Sequence, residues 1–217
     1  MRRQGLEAIR PKRFRPQTTD SSHSLRISPN LLLDGVNRSQ AQGTVIVGDI
    51  TYLPLRNGRW CYLATFQDKL TKRIVGWKVA QRMTADIVVE ALKKALANDR
   101  IKPDAIVHTD RGSQYASNQY RRLLADNSLR QSMSRKGNCY DNAQAESFFS
   151  RFKAELLEGG LFENTGQARS ETFSYIEGYY NRVRIHSSLG YRSPEEFEKL
   201  LNDKQQRSTR SLVSRLT

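Results

Sequence analysis

The fold is decided by the segment Thr44-Val45-Ile46-Val47-Gly48-Asp49-Ile50-Thr51-Tyr52-Leu53. Its β-branched and aromatic residues predict a β-strand. Asn57-Gly58 is a typical hairpin turn, and the apolar segment Trp60–Phe66 predicts the returning strand. A polar turn over Lys69–Arg73 then leads to a third predicted strand, Ile74–Val79. The three segments together predict an antiparallel meander.

Helices and two further strands alternate after this meander. Thr84–Leu96 has a capping residue followed by apolar residues at helical spacing, which predicts a helix. A short apolar strand is predicted at Ala105–Val107, a helix around Gln119–Ala125, and a strand near Leu129–Met133. Since a helix follows each of the last three strands, the order predicts an α/β layered sheet of mixed strand direction.

Composition narrows the class of protein. The chain has 217 residues, of which 37% are apolar, so it is long and hydrophobic enough to form a core. Its apolar runs are short, such as Leu31-Leu32-Leu33, and its basic N-terminus lacks the apolar stretch of a secretory signal. The chain has only two cysteines, which lie far apart, and three histidines, so a structural zinc site with four closely spaced ligands is not expected. The net charge of +14 predicts a polyanionic partner, usually nucleic acid.

The distribution of charge suggests three parts. Residues 1–40 have a net charge of +5 and are interpreted as a basic N-terminal arm or linker. Residues 41–199, with a charge of +6, form the expected globular core and its C-terminal helical segment. Residues 200–217, with a charge of +3, are expected to be a basic flexible tail. DNA contact is a better explanation of these charged ends than solubility alone.

Two aspartates stand out from the solvated acidic residues. Asp49 interrupts an apolar strand, and Asp110 follows the buried pair Ile106-Val107. A carboxylate in such a place is costly unless it meets a hydrogen bond, a cation or a metal. Ligands of α/β sheets collect beyond the carboxyl ends of the strands, where Asp110 lies. A capping or turn role explains Asp110 equally well when it is taken alone.

A third candidate, Glu146, lies on a predicted helix that Asp141 or Asn142 would cap. At 100° per residue, the helix separates two faces. One face is apolar and is expected to pack on the sheet: Ala145, Phe148, Phe152 and Leu156. The opposite face carries Asn142, Glu146, Phe149 and Lys153. Spacing alone does not distinguish this second face from an ordinary solvated one.

Four segments carry a resemblance to a known family. They are Asp49-Ile50-Thr51-Tyr52, residues 108–115 (HTDRGSQY), residues 134–143 (SRKGNCYDNA) leading to Glu146, and residues 180–194 (YNRVRIHSSLGYRSP). With these motifs, in this order, the chain resembles the DDE transposases of bacterial insertion sequences, of the OrfB type with a retroviral-integrase-like core. The 35 residues between Asp110 and Glu146 match the spacing of that family, and Lys153 lies where it keeps a basic residue.

The resemblance implies a ribonuclease-H-like fold, that is, a mixed five-stranded α/β sheet flanked by helices. It implies that Asp49, Asp110 and Glu146 are catalytic and hold two Mg²⁺ ions, which Mn²⁺ can replace. The implied activity is cleavage of DNA at the ends of the insertion sequence and strand transfer into a target, which amounts to DNA integration. His108 is then expected to be structural and not a general base. Two alternatives are a ribonuclease-H-like nuclease that hydrolyses without joining and a catalytically idle, domesticated DNA-binding protein.

The resemblance also implies partners. Double-stranded DNA is expected to contact Arg111, Arg135, Lys136, Asn142, Lys153, Arg182, Arg184 and His186. For the last three, salt-bridged structural roles explain the sequence equally well. A second expected partner is an OrfA-type helix-turn-helix protein or a fused N-terminal part. The protein is expected to assemble into a multimer on DNA, to have no membrane partner, and to be cytoplasmic and associated with the nucleoid.

Overall fold

The computed structural model describes residues 23–32, 41–135, 143–157 and 160–213. The strands are β1 (Val45–Pro54), β2 (Trp60–Asp68), β3 (Ile74–Ala80), β4 (Ile106–Thr109) and β5 (Arg130–Met133). The helices are α1 (Ala85–Leu96), α2 (Ser113–Ala116), α3 (Asn118–Asp126), α4 (Ala143–Leu157), α5 (Thr165–Phe173) and α6 (Pro194–Val213). A π-helical segment, Ser174–Tyr180, continues α5, and a 3-10 turn covers Ser187–Leu189.

The sheet has the strand order β3-β2-β1-β4-β5. β1 pairs antiparallel with β2, and β2 with β3, so the predicted meander is confirmed. β4 lies parallel to β1 and to β5, because each is reached by a helical crossover. The predicted α/β sheet of mixed direction is therefore confirmed, with β1 at its centre.

One face of the sheet is covered by α1, α2 and α3. Phe66 of β2 and Ile46 of β1 pack there against Ile87, Leu92 and Tyr120 of these helices. Successive strand residues point to opposite faces. Leu63, which is three positions before Phe66 on β2, therefore belongs to the other face.

The second face is covered by α4, α5 and the π-helical segment. The predicted apolar stripe of α4 is confirmed, since Ala145, Phe148 and Phe152 are buried. Phe149 was expected on the opposite face with Glu146, but it is only 6% exposed. It packs in the same cluster as Phe148, with ring centroids 5.3 Å apart. The reason is that α4 lies in a groove between the sheet and the π-helical segment, so it buries more than one stripe.

The C-terminal segment differs from its expectation. α6 runs through residue 200 to Val213, so the segment expected to be a flexible tail is helical up to that residue. Glu198 anchors the helix, because its carboxylate lies 3.1 Å from Arg73 and 2.8 Å from Arg100 and accepts a hydrogen bond from Gln42. Among the helices described, none has the length and apolar character needed to cross a membrane.

Part of the expected N-terminal arm packs against the sheet edge. The Met133 amide of β5 donates to the Pro29 carbonyl, and the Leu31 amide donates to Ser132 Oγ at 2.9 Å. Residues 23–32 therefore lie alongside β5.

Candidate active site

Asp49 and Asp110 are neighbours because β1 and β4 run parallel. Val47 is paired with His108, and an aspartate follows two residues later on each strand. Side chains alternate along a strand, so both carboxylates project from the same face, and adjacent strands lie about 4.8 Å apart. Asp110 lies just past the end of β4, at the edge where α/β sheets bind ligands.

Backbone amides hold both aspartates. Asp49 Oδ1 accepts a hydrogen bond from the Ile50 amide at 2.8 Å, and Asp110 Oδ1 accepts one from the Gly112 amide at 2.9 Å. The second bond shapes the turn before α2, so the turn role considered for Asp110 is present in the structure. It coexists with the electrostatic coupling to Asp49 and does not replace it.

Glu146 and Lys153 approach these aspartates from α4. Glu146 is exposed in the first turn of the helix, where the helix dipole favours a carboxylate. Lys153, about two turns later, is half-buried. Both side chains act electrostatically on Asp49, so α4 presents one acid and one base to the strand pair.

The pKa of Asp49 shows that negative charge is in excess. Burial raises this pKa well above the usual value, and the charge of Asp110 raises it further. Glu146 acts in the same direction, whereas the Ile50 amide and Lys153 lower the pKa. Lys153 has the smallest effect, and burial lowers its own pKa. Lys153 therefore does not balance the negative charge of Asp49, Asp110 and Glu146.

This donor set suits a hard divalent cation. The residues offer only carboxylate oxygens, as Mg²⁺ prefers, and a cation would lower the raised pKa of Asp49. As they stand, no three His, Cys, Asp or Glu side chains within the described ranges are close enough to hold a metal.

Tyr115 is a site residue that sequence reasoning did not single out. Its side chain is buried, and its hydroxyl finds no hydrogen-bond partner in the described part of the chain. Burial raises the pKa of this hydroxyl, and the charges of Asp49 and Asp110 raise it further. Its position five residues after Asp110, inside a quoted motif, was the available signal.

His108 is buried beside the site, and its Nδ1 lies 2.8 Å from Ser132 Oγ of β5. This bond joins two adjacent strands, which agrees with the expected structural role.

Of the predicted DNA contacts near the aspartates, Arg111 and Arg135 are described. Arg111 Nε donates to the Ser134 carbonyl at 2.8 Å, and its own carbonyl lies 2.8 Å from His23 Nε2. It therefore ties the loop after β4 to the end of β5. Arg135 is exposed at the end of that connection. Lys136 and Asn142 lie outside the described residues.

The structure places Arg182, Arg184 and His186 apart from the aspartates, on the segment before α6. Arg184 forms a bidentate ion pair with Glu155 of α4, with a shortest distance of 2.8 Å. Arg182 lies 3.8 Å from Glu195 at the surface. Both arginines have the salt-bridged role that was one of the two alternatives. For His186, burial lowers the pKa to about 4, and the cations Arg184, Arg151 and Lys72 contribute.

Two family models match the chain. Both are described as integrase core domains, and they match residues 39–139 and 127–194. The transposase for insertion sequence element IS904 of Lactococcus lactis is 43% identical over 171 residues, covering 79% of this chain and 67% of the relative. Transposase InsF for insertion sequence IS3A of Escherichia coli is 43% identical over 203 residues, covering 91% and 68%. The chain thus spans about two thirds of each relative's length.

Solved structures share the fold at low sequence identity. The HTLV-2 integrase catalytic core domain in complex with magnesium aligns with a TM-score of 0.53 and 10% identity, over 73% of this chain and 97% of that one. A chain of the simian T-cell lymphotropic virus intasome aligns with a TM-score of 0.57 and 14% identity, over 84% of this chain and 60% of that one. The expected ribonuclease-H-like fold is confirmed by this likeness.

Proposed function

Because the chain belongs to the insertion-sequence transposases that carry an integrase core, we propose that its catalytic site consists of Asp49, Asp110 and Glu146. Family membership makes it an enzyme of the polynucleotidyl-transferase type. The observation that carries the site assignment is the parallel register of β1 and β4, which brings Asp49 next to Asp110. The pKa of Asp49, raised by burial and by the charges of Asp110 and Glu146, agrees with it, because perturbed carboxylates cluster at functional sites.

The substrate we propose is double-stranded DNA, and the reaction has two steps of the same kind. In the first, a water oxygen attacks a phosphodiester at the element end, and the 3′-oxygen of the cut strand leaves. In the second, that 3′-hydroxyl attacks a phosphodiester of the target, and a target 3′-oxygen leaves. Each step forms one P–O bond and breaks another, so no covalent bond to the protein is required.

In this proposal the three carboxylates hold two Mg²⁺ ions, which Mn²⁺ can replace. Metal bound there would activate the attacking oxygen and stabilise the leaving one during in-line displacement. The chain's own groups hold the ligands in place: the Ile50 amide orients Asp49, and the Gly112 amide orients Asp110. Lys153, on the same helix as Glu146, is positioned to contact a phosphate next to the scissile one.

The remaining DNA contacts and partners are also proposals. Arg111 and Arg135, which lie in the loops after β4 and β5, would meet the DNA backbone, and we propose the same role for Lys136 and Asn142 from the family motif. We further propose that the protein acts at the nucleoid, in a multimer on DNA, with an OrfA-type helix-turn-helix partner or N-terminal part to recognise the element ends.

The test of the site uses Asp110→Asn and Glu146→Gln, which remove one charge each with little change of shape. Cleavage of an element-end duplex in Mg²⁺ should fall on the order of 10³-fold or more in both variants, because the groups act as a unit. DNA binding in EDTA should be retained. Asp126→Asn, an exposed aspartate at the end of α3, is the matched control and should cleave normally. Normal cleavage by either site variant would refute the assignment.

A second assay separates a transposase from a nuclease that only hydrolyses. A pre-cut element end is offered with target DNA and Mg²⁺, and joined products are resolved on a denaturing gel. We expect joined product from the unmodified chain and none from Asp110→Asn. Hydrolysis without joining would favour the nuclease alternative.

A further inference from the structure

A polar cavity of about 440 Å³ lies beside α4, away from the aspartates. Its walls come from three distant parts of the chain: the turn between β2 and β3, α4, and the segment before α6. The residues that matter for its chemistry are Lys72, Gln144, Ser147, Arg151, Arg184 and His186. Neither Glu146 nor either aspartate lines it.

The cavity carries uncompensated positive charge. Among the described residues, three cations and no carboxylate line it. Glu155 neutralises Arg184 through their bidentate pair. Lys72 Nζ donates only to neutral oxygens, at 2.8 Å to Gln144 Oε1 and 3.1 Å to the Lys69 carbonyl. Arg151 is exposed and forms no ion pair within the described part of the chain. Lys72 and Arg151 therefore leave charge that an anion could balance.

His186 adds an unsatisfied polar atom to this wall. Its Nε2 is buried without a hydrogen-bond partner among the described residues. Buried polar atoms of this kind usually meet a water or a ligand. Burial and, to a smaller extent, the cations Arg184, Arg151 and Lys72 lower the pKa of His186 to about 4, while Glu155 opposes them. The ring is therefore neutral at pH 7, and either nitrogen can carry its hydrogen.

The cavity and the carboxylates occupy different sides of one helix. At 100° per residue, Arg151 lies about 140° around α4 from Glu146 and about 7.5 Å further along its axis. Gln144 and Ser147 point to the same side as Arg151, and the buried phenylalanines take up much of the remaining circumference. A DNA duplex carries a phosphate about every 3.4 Å of its axis on each strand, so a duplex that is cut at the carboxylates also offers phosphates to a neighbouring site.

We propose that this cavity binds a backbone phosphate of the DNA substrate, at a nucleotide removed from the one that is cut. The identification of DNA rests on the proposed function above, whereas the preference for a phosphate rests on the cavity itself. Two cations without an ion-pair partner among the described residues, together with the Ser147 hydroxyl and the unsatisfied Nε2 of His186, match a compact anion with several acceptor oxygens. Such a contact positions the duplex and carries no sequence information.

The test compares Arg151→Gln with Arg122→Gln, an exposed arginine of α3 on the opposite face of the sheet. DNA affinity is measured by fluorescence anisotropy in EDTA between about 50 and 200 mM salt. Loss of one phosphate contact should lower the slope of log K against log[salt] by about one unit in Arg151→Gln. Arg122→Gln should keep the original slope, and Arg151→Lys should restore most of it. Equal slopes for the two glutamine variants would overturn the proposal.

A second measurement follows the His186 ring by NMR, which does not depend on cleavage. A bound phosphate should raise the pKa of His186 above its value of about 4, since it offsets the surrounding cations. DNA should produce this rise in the unmodified chain and in Asp110→Asn, but not in Arg151→Gln. A rise with inorganic phosphate and none with DNA would refute DNA as the occupant.

The two proposals fail separately. Suppose that the chain shows no metal-dependent cleavage but that Arg151→Gln lowers the slope of log K against log[salt]. The cavity assignment then stands, and the proposed function is refuted. If cleavage depends on Asp110 but Arg151→Gln binds DNA with an unchanged slope, the cavity assignment falls alone.

Discussion

Gly48 of β1 directly precedes Asp49, and there is no space at this position for the methyl group of an alanine. A Cβ at this position would lie 2.6 Å from Phe66 Cε1, 2.9 Å from Phe66 Cδ1 and 3.2 Å from Thr109 Cγ2. Real Cβ atoms do not approach carbon below about 3 Å, so a neighbour must move. Phe66 is fully buried and is stacked on Tyr120 and set edge-on to Tyr115, so its ring has no easy way out.

The expected loss of stability follows from this geometry. Overpacking a well-filled core costs about 1–3 kcal/mol. At about 2–4 °C per kcal/mol for a chain of this size, Gly48→Ala should lower the melting temperature by about 2–12 °C. The same displacement also acts on the site. Gly48 precedes Asp49, Thr109 precedes Asp110, and Tyr115 packs on Phe66, so the methyl group pushes the strand pair apart where the carboxylates meet.

Calorimetry and the cleavage assay, run below the melting temperature of the variant, measure the two effects. Cleavage by the folded fraction should fall by more than tenfold, because small misplacements of catalytic groups are costly. Gly178→Ala is the matched control, since its Cβ would meet nothing within 4 Å. It lies in the π-helical segment, so alanine should leave stability unchanged or raise it by up to about 1 kcal/mol. If Gly48→Ala melted and cleaved like the unmodified chain, this reasoning would be wrong.

Two further predictions concern charges. Because burial and Asp110 raise the pKa of Asp49, folding favours its protonated form, and ionised Asp49 destabilises the metal-free protein once the pH exceeds the ordinary value of 3.8. Asp49→Asn should therefore raise the melting temperature near pH 7, by an amount that becomes smaller towards pH 4. The substitution should also abolish stabilisation by added Mg²⁺. A lower melting temperature at pH 7 would contradict this prediction. Glu198→Gln removes the carboxylate that pairs with the nearly buried Arg73 and the partly exposed Arg100 and should lower stability by about 1–2 kcal/mol, because burial, which raises the pKa of Glu198, offsets part of the attraction of the two arginines. Glu90→Gln, whose pair with Lys93 is exposed, should change stability by less than about 1 kcal/mol in the same urea titrations.

Local patterns were sufficient for much of the fold. Runs of β-branched and aromatic residues and the Asn57-Gly58 turn predicted the meander, and helical spacing predicted α1 and the apolar stripe of α4. These features depend on residues a few positions apart, where backbone geometry decides the outcome. The same rule failed for Phe149, because its burial depends on a cluster that joins α4 to strand residues and to the π-helical segment, all of them distant in the sequence.

The candidate site divides in a similar way. The sequence by itself determined which acids to suspect, through the interruption of an apolar strand at Asp49 and the family spacing from Asp110 to Glu146. Only the tertiary structure decided that Asp49 and Asp110 adjoin, because parallel register is set across a crossover of some 50 residues. It also decided that Glu155 holds Arg184 and that Lys72 and Arg151 share one cavity. The physical reason is that electrostatic effects depend on distance and burial, and a sequence records the charges but neither of those quantities.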